Sequence, residues 1–314
     1  MSKHILFLDS NHPTLIDDLR KNGYVCDEDY ESSKIEIEKK ISTYDAVVIR
    51  SRFKLDKTFI DAGTNLKCIA RAGAGMENID VVYAEKKNIH CVHAPEGNRD
   101  AVGEQAIGML LALMNNLCRA DHQVRNGKWL REDNRGYELQ GKTVGIIGYG
   151  NMGSAFAQRL RGFDVRVLAY DKYKKNFGND FVKESTLEEI FDNADVLSLH
   201  IPLTAETEYW VDEKFLDQFR KNIWLINTSR GKVVKTDDLV KGLEEGSVRG
   251  ACLDVLEYES VSFEKMESNT FPPTFQYLIN SDKVILSPHI AGWTFESHQK
   301  IAKILVKKIS EVLG

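Results

Sequence analysis

The chain has 314 residues, enough for two domains at roughly 150 residues each. Hydrophobic residues make up 42% and charged residues 28%, with 22 glycines and 6 prolines, which excludes disorder and collagen-like repeats. Forty-two basic against 47 acidic side chains leave a formal charge of −5, so nothing draws the whole molecule to nucleic acid or to an anionic membrane.

The elements alternate along the chain. Ile5–Leu8, Ala46–Ile49, Cys68–Ala70, Val144–Ile147, Val165–Leu168, Val196–Leu199, Ile223–Ile226 and Val284–Leu286 read as strands, several continuously apolar and therefore buried on both faces. Amphipathic helical stretches lie between them, among them Thr14–Asn22, Ala155–Gly162 and Thr236–Glu245. This order predicts an α/β protein with parallel sheets and crossover helices. A long helix from about Arg99 to Asn126 follows the loop Ala94-Pro-Glu-Gly-Asn98 and opens the second lobe. Its apolar face, Ile107, Leu110, Leu111 and Met114, exceeds what one lobe obviously needs.

The five cysteines, Cys26, Cys68, Cys91, Cys118 and Cys252, are odd in number and widely spaced, with no C-x-x-C pair. That argues against a disulfide framework or a zinc site and for a reducing, cytoplasmic setting; no metal is expected. The apolar run Ile5 to Leu8 is too short for a signal-peptide core, and Ala106 to Met114 falls far short of the roughly 20 residues that span a bilayer. No membrane association is expected.

The strongest chemical signal is Gly148, Gly150 and Gly153 in Lys142-Thr-Val-Gly-Ile-Ile-Gly-Tyr-Gly-Asn-Met-Gly153. A strand precedes it, a helix follows, and Asp171 closes the next strand 23 positions after Gly148. The first glycine permits the tight turn, the second lets backbone approach a pyrophosphate, and the third lets helix and strand pack closely. The helix N-terminus offers N–H groups and partial positive charge to the phosphates. Asp171 would accept hydrogen bonds from a ribose 2′-hydroxyl and repel a 2′-phosphate, favouring NAD over NADP. Lys172, Lys174 and Lys175 follow at once and offset part of that charge.

Further motifs come in order: His200-Ile-Pro-Leu-Thr204 through Glu206-Thr207, Asn227-Thr-Ser-Arg-Gly231, Leu253-Asp-Val255 and Ser287-Pro-His-Ile-Ala-Gly292. With the glycine turn, and with Arg71-Ala-Gly-Ala-Gly75 and Asn78-Ile-Asp80 upstream, the series resembles the D-isomer-specific 2-hydroxyacid dehydrogenases over almost the whole chain. The resemblance implies two Rossmann/flavodoxin-like domains with the active site in the cleft between them. The substrate domain would be discontinuous, 1–98 plus 291–314, and the NAD domain would cover 99–290. It implies Arg230, Glu259 and His289 as the catalytic set. The chemistry agrees: hydride transfer at a secondary alcohol needs a proton donor and acceptor, and histidine serves both near neutral pH. A carboxylate behind the ring favours imidazolium, and an arginine fork matches a substrate carboxylate. Ser260 stands where the family usually has proline, which leaves Glu257 as an alternative partner for His289.

By the same resemblance, Tyr149, Asn151 and Met152 line the pyrophosphate turn, and His200, Pro202 and Thr207 border the adenine and phosphates. Thr228, Ser229, Asp254 and Gly292 fall on the nicotinamide side. Arg50, Ser51 and Arg71, with the nest of backbone N–H groups at Gly73, Ala74 and Gly75, would bind substrate. Because Arg50, Arg52 and Arg71 exceed what one carboxylate requires, a second anionic group is indicated. Together with Asn126-Gly-Lys-Trp129 this is similar to the phosphoglycerate dehydrogenase branch, pointing to 3-phosphoglycerate and serine biosynthesis. Only 25 residues follow His289, so a C-terminal regulatory domain is not expected. The alternatives are a glyoxylate or hydroxypyruvate reductase and, from another class, an NAD(H)-sensing corepressor-like binding protein. A homodimer around the long helix is expected. The apolar stretch with Phe263, Met266, Phe271, Pro272, Pro273, Phe275 and Tyr277 reads as a flap, a subunit contact or a packed surface loop.

Overall fold

The computed structural model describes residues 2–259 and 272–314; Phe263, Met266 and Phe271 of the apolar stretch lie outside them. The chain packs as two compact units, residues 2–99 with Trp293–Gly314 and Asp100–Glu259 with 272–292.

The first unit is a parallel sheet of β1 (His4–Phe7), β2 (Val25–Glu28), β3 (Ala46–Ile49), β4 (Cys68–Arg71) and β5 (His90–His93) in the order β2-β1-β3-β4-β5. This is the flavodoxin-like order. Successive side chains of β1 alternate between two cores: Ile5 and Phe7 pack with Leu15, Leu19, Leu305 and Ile309, while Leu6 joins Ile37, Phe59 and Ile60. The final helix, Phe295–Leu313, covers the first of these faces. It starts where Thr294 and Ser297 cap each other reciprocally, and its stripe Ala302, Leu305, Ile309 and Leu313 is buried.

The second unit is a seven-stranded parallel sheet of β6 (Thr143–Ile147), β7 (Arg166–Tyr170), β8 (Val182–Glu184), β9 (Val196–Leu199), β10 (Ile223–Asn227), β11 (Val248–Leu253) and β12 (Val284–Leu286). The order β12-β11-β10-β9-β6-β7-β8 reverses between β6 and β9, the switch point at which doubly wound sheets bind dinucleotides. The helices Pro95–Met114 and Asn151–Arg159 cover one face, and Leu187–Asn193 and Thr236–Glu245 the other.

All eight strands expected from the sequence are present, and four more were not expected. β2 is an edge strand, Val-Cys-Asp-Glu, with one buried residue in four. β8 is a three-residue edge, β5 begins and ends on histidine, and β11 carries Arg249 and Gly250 near its start. β2, β5 and β8 lack an apolar run and are defined by a neighbour's ladder more than by their own burial, whereas β11 is an interior, buried strand whose apolar stretch is interrupted at its start by Arg249 and Gly250. The single long helix is corrected to two, Pro95–Met114 and Leu117–Arg125, broken where Asn116 turns left-handed at φ 53°. Its apolar face is corrected as well. Ile107, Leu110 and Met114 are buried in the core of their own unit with Leu111 packed against it, so this face is not a spare subunit surface. All five cysteines are free thiols, and among the described residues no helix is long and apolar enough to cross a membrane.

Candidate active site

The turn after β6 is built by contacts that only glycine permits. Gly148 sits at φ 90°, and a Cβ there would lie 2.4 Å from the His200 carbonyl oxygen, so the backbones at the ends of β6 and β9 nearly touch. A Cβ on Gly153 would lie 2.0 Å from the Gly148 oxygen, which draws the helix Asn151–Arg159 against the strand. Gly150 caps that helix, and among the described residues no atom beyond its own chain neighbours lies within 4 Å of where its Cβ would be, the open approach a pyrophosphate needs. Tyr149, Asn151 and Met152 occupy the turn and the first helical residues, and the Tyr149 ring stacks on Phe177 at 4.6 Å.

Asp171 stands just past β7 with its carboxylate aimed back at this turn. It accepts from the backbone N–H of Tyr149 at 2.8 Å, Tyr173 at 2.9 Å and Lys174 at 2.8 Å. Burial alone would raise its pKa, but these three donors hold the carboxylate below its ordinary range, so it is an anion. The following lysines each have a partner. Lys174 Nζ donates to the Tyr149 carbonyl at 3.2 Å, Lys175 Nζ to the Asp171 carbonyl at 3.5 Å, and Lys172 Nζ binds the Glu206 carboxylate.

The His200 side chain turns into the protein: Nε2 meets Ser198 Oγ at 2.8 Å, the ring lies 5.4 Å from that of Phe156, and burial pushes its pKa down to about 3. What borders the glycine turn is its main chain. Thr207 Oγ1 donates to the Pro202 carbonyl at 2.7 Å and accepts from Thr204 N–H, closing a turn after β9. Thr228 is buried and, among the described residues, its Oγ1 has no partner. Ser229 Oγ donates to Asn227 Oδ1 at 2.7 Å.

Arg230, Glu259 and His289 stand on the segments that follow β10, β11 and β12. Arg230 leaves the turn after β10, where Asn227 Nδ2 donates to its carbonyl at 3.0 Å and its own Nη1 donates to the Ser229 carbonyl at 2.6 Å. Gly231 lets that turn approach the loop after β11, since a Cβ there would lie 2.0 Å from the Leu256 carbonyl. That loop carries Glu259, whose Oε1 accepts from Leu256 N–H at 2.5 Å and whose Oε2 lies 2.6 Å from His289 Nδ1. Glu257 faces elsewhere, accepting weakly from Thr236 N–H at 3.4 Å.

His289 adopts φ 54°, a conformation costing a non-glycine residue about 1 kcal/mol or more. Asp254 holds it there. Its carbonyl accepts from His289 N–H at 2.8 Å, and its buried carboxylate accepts from Ser287 Oγ at 2.6 Å and from Ile290 and Ala291 N–H, each at 2.9 Å. Burial nonetheless leaves its pKa raised. Gly292 follows directly on this anchored segment.

In the first unit, Asp9 Oδ2 accepts from Arg50 N–H at 2.6 Å and from the buried Ser51 N–H at 3.3 Å, and the Arg50 guanidinium lies 4.9 Å over the Trp293 ring. Arg52 donates to the carbonyls of Leu8, Asp29 and Ser32. After β4, Arg71 opens the 71–75 turn. Gly73 N–H is used by the Arg71 carbonyl and the Gly73 carbonyl by Ala94 N–H, both at 2.9 Å, so the nest is narrower than the sequence implied. Ala74 and Gly75 complete it, with the Ala74 carbonyl 2.5 Å from His93 Nδ1.

The model of the D-isomer specific 2-hydroxyacid dehydrogenase NAD binding domain matches residues 107–291. The glyoxylate reductase of Thermofilum pendens is 36% identical over 292 residues, spanning 91% of this chain and 83% of the relative. The chain belongs to the D-isomer-specific 2-hydroxyacid dehydrogenases. The D-3-phosphoglycerate dehydrogenase of Archaeoglobus fulgidus is 34% identical over 94% of this chain, which spans 54% of that relative's length. The solved D-lactate dehydrogenase of Aquifex aeolicus with NAD and lactic acid superposes with a TM-score of 0.82 at 27% identity, covering 98% of this chain and 94% of that one.

This dehydrogenase is therefore an NAD-dependent oxidoreductase. Its residues fit the dinucleotide: a glycine cradle open at Gly150, an anionic Asp171 beside it, and the buried Thr228 hydroxyl, which has no partner among the described residues. Asn227 and Ser287 open two of the motifs without an assigned role in the sequence, and here they shape the loops of Arg230 and His289; an asparagine at a strand end is a recognised turn former.

Proposed function

We propose that the enzyme interconverts a small unphosphorylated 2-oxo acid, of the glyoxylate or hydroxypyruvate kind, and its D-2-hydroxy acid. The observation that carries this is Arg52. Its guanidinium is committed to three carbonyls of its own unit, so the surplus of cations that pointed to a phosphorylated substrate shrinks. The similarity to a glyoxylate reductase over most of both chains supports the same reading.

In the reductive direction the Arg230 fork receives the substrate carboxylate. Bound NADH supplies the hydride that reduces C2. His289 gives a proton to the carbonyl oxygen, so one hydride and one proton convert C=O to CH–OH. With Nδ1 given to Glu259, proton exchange falls to Nε2. Glu259 fixes the tautomer and offsets the charge of the imidazolium.

A second reading, 3-phosphohydroxypyruvate, is favoured by Arg50, whose backbone Asp9 anchors and whose head Trp293 holds. Following NADH oxidation with glyoxylate, hydroxypyruvate and 3-phosphohydroxypyruvate separates the two. Turnover of the first two at far higher kcat/KM than the third is expected, and preference for the phosphorylated acid refutes the first reading. We further propose a cytoplasmic homodimer. Leu117, Val124, Trp129, Leu130 and Tyr137 are exposed on and after the helix Leu117–Arg125, where a second copy would cover them. Sedimentation at micromolar concentration tests it, and a monomer would refute it.

A further inference from the structure

Three lysines directly after the cofactor-selecting aspartate ought to weaken selection, because an ammonium beside the ribose attracts the 2′-phosphate that Asp171 repels. Two of them face main-chain carbonyls, Lys174 that of Tyr149 and Lys175 that of Asp171. Lys172 differs. It adjoins Asp171 in the chain, and its ammonium binds a carboxylate from elsewhere, Glu206, in the turn after β9 that Thr204 and Thr207 close. The ends of β7 and β9 flank β6 on either side, so this ion pair links the two loops beside the glycine turn. Both side chains are more than half exposed, so the pair adds little to stability. Its effect on local charge is larger, since without Glu206 a mobile cation stands next to Asp171.

We propose that Glu206 is a cofactor-discriminating residue: by holding Lys172 it withholds that ammonium from a 2′-phosphate. Discrimination against NADP then rests on two carboxylates. Asp171 repels the phosphate directly, and Glu206 acts through Lys172, which makes it a positioning residue. Because the pair is exposed, the effect expected is modest, about a fivefold change in the ratio of kcat/KM for NADPH to that for NADH.

The test is that ratio in wild type, E206Q, E206A, K172A and the double variant K172A/E206A, at low and high salt. E206Q and E206A are expected to raise the ratio about fivefold at low salt, with the rise shrinking as salt screens the charges. Adding E206A to K172A is expected to change nothing further, because the carboxylate then has no ammonium to hold. A Glu206 that only shapes its turn would lower the use of both cofactors together. An unchanged ratio in E206Q and E206A, or an equal rise when Lys172 is already absent, overturns the proposal. Loss of discrimination in D171A but not in E206A would leave the NAD assignment standing and remove this inference alone.

Discussion

Glu259→Gln removes one charge and almost no volume, and the structure says why that should matter. Both carboxylate oxygens are in use, Oε1 accepting from Leu256 N–H at 2.5 Å and Oε2 lying 2.6 Å from His289 Nδ1. An amide has one acceptor oxygen and one NH2 group. If its oxygen faces the imidazole, NH2 meets the Leu256 N–H; if it faces Leu256, NH2 opposes the ring's own Nδ1–H. Either way one donor loses its acceptor, and the imidazolium formed when His289 takes a proton loses its counter-charge. A hydrogen bond to a charged group is worth about 1.5–3 kcal/mol, so kcat should fall roughly ten- to one-hundredfold. Initial rates of NADH oxidation measure the fall. NADH affinity, read by fluorescence titration, should hold because Asp171 and the glycine turn are untouched. Glu257→Gln is the control and should leave kcat near wild type, since that carboxylate accepts from Thr236 N–H and is turned away from His289. A folded E259Q with kcat within twofold of wild type would refute the arrangement, as would a larger loss in E257Q.

Asp171→Ala should lower kcat/KM for NADH and raise the NADPH-to-NADH ratio, and an unchanged ratio removes its role in selection. Gly153→Ala puts a methyl 2.0 Å from the Gly148 oxygen, so the turn must open; NADH binding should be lost in a titration, or the protein should fail to fold by circular dichroism. Asp254 has a raised pKa, so its protonated form is favoured by folding. That contribution is present below the unfolded value of about 3.9 and lost as pH rises through the folded value. Urea unfolding of wild type and D254N across this range should show the difference moving toward the variant as pH rises; a difference independent of pH would contradict the shift.

Much of the molecule is legible in its sequence. The continuously apolar strands Ala46–Ile49, Val196–Leu199 and Ile223–Ile226 announced a parallel sheet, because a strand covered on both faces has no polar side to alternate. Gly148 and Gly153 announced the dinucleotide turn, because each meets a neighbouring carbonyl too closely for any side chain. The strands β2, β5 and β8 stayed hidden, since edge position and ladder partners left no pattern in their own residues, and β11 stayed hidden because Arg249 and Gly250 interrupt its buried run.

The sequence by itself determined the fold class, the cofactor turn and the kinds of side chain the chemistry requires. The choice among chemically equal candidates came only with the tertiary structure. Glu259 and not Glu257 reached His289, Arg52 was drawn to three carbonyls, Lys172 was taken by Glu206, and the apolar helix face was covered by its own core. The physical reason is common to all four. Residue type sets what a side chain can bond, whereas its actual partner comes from chain that is distant in sequence and adjacent only once the sheets have formed.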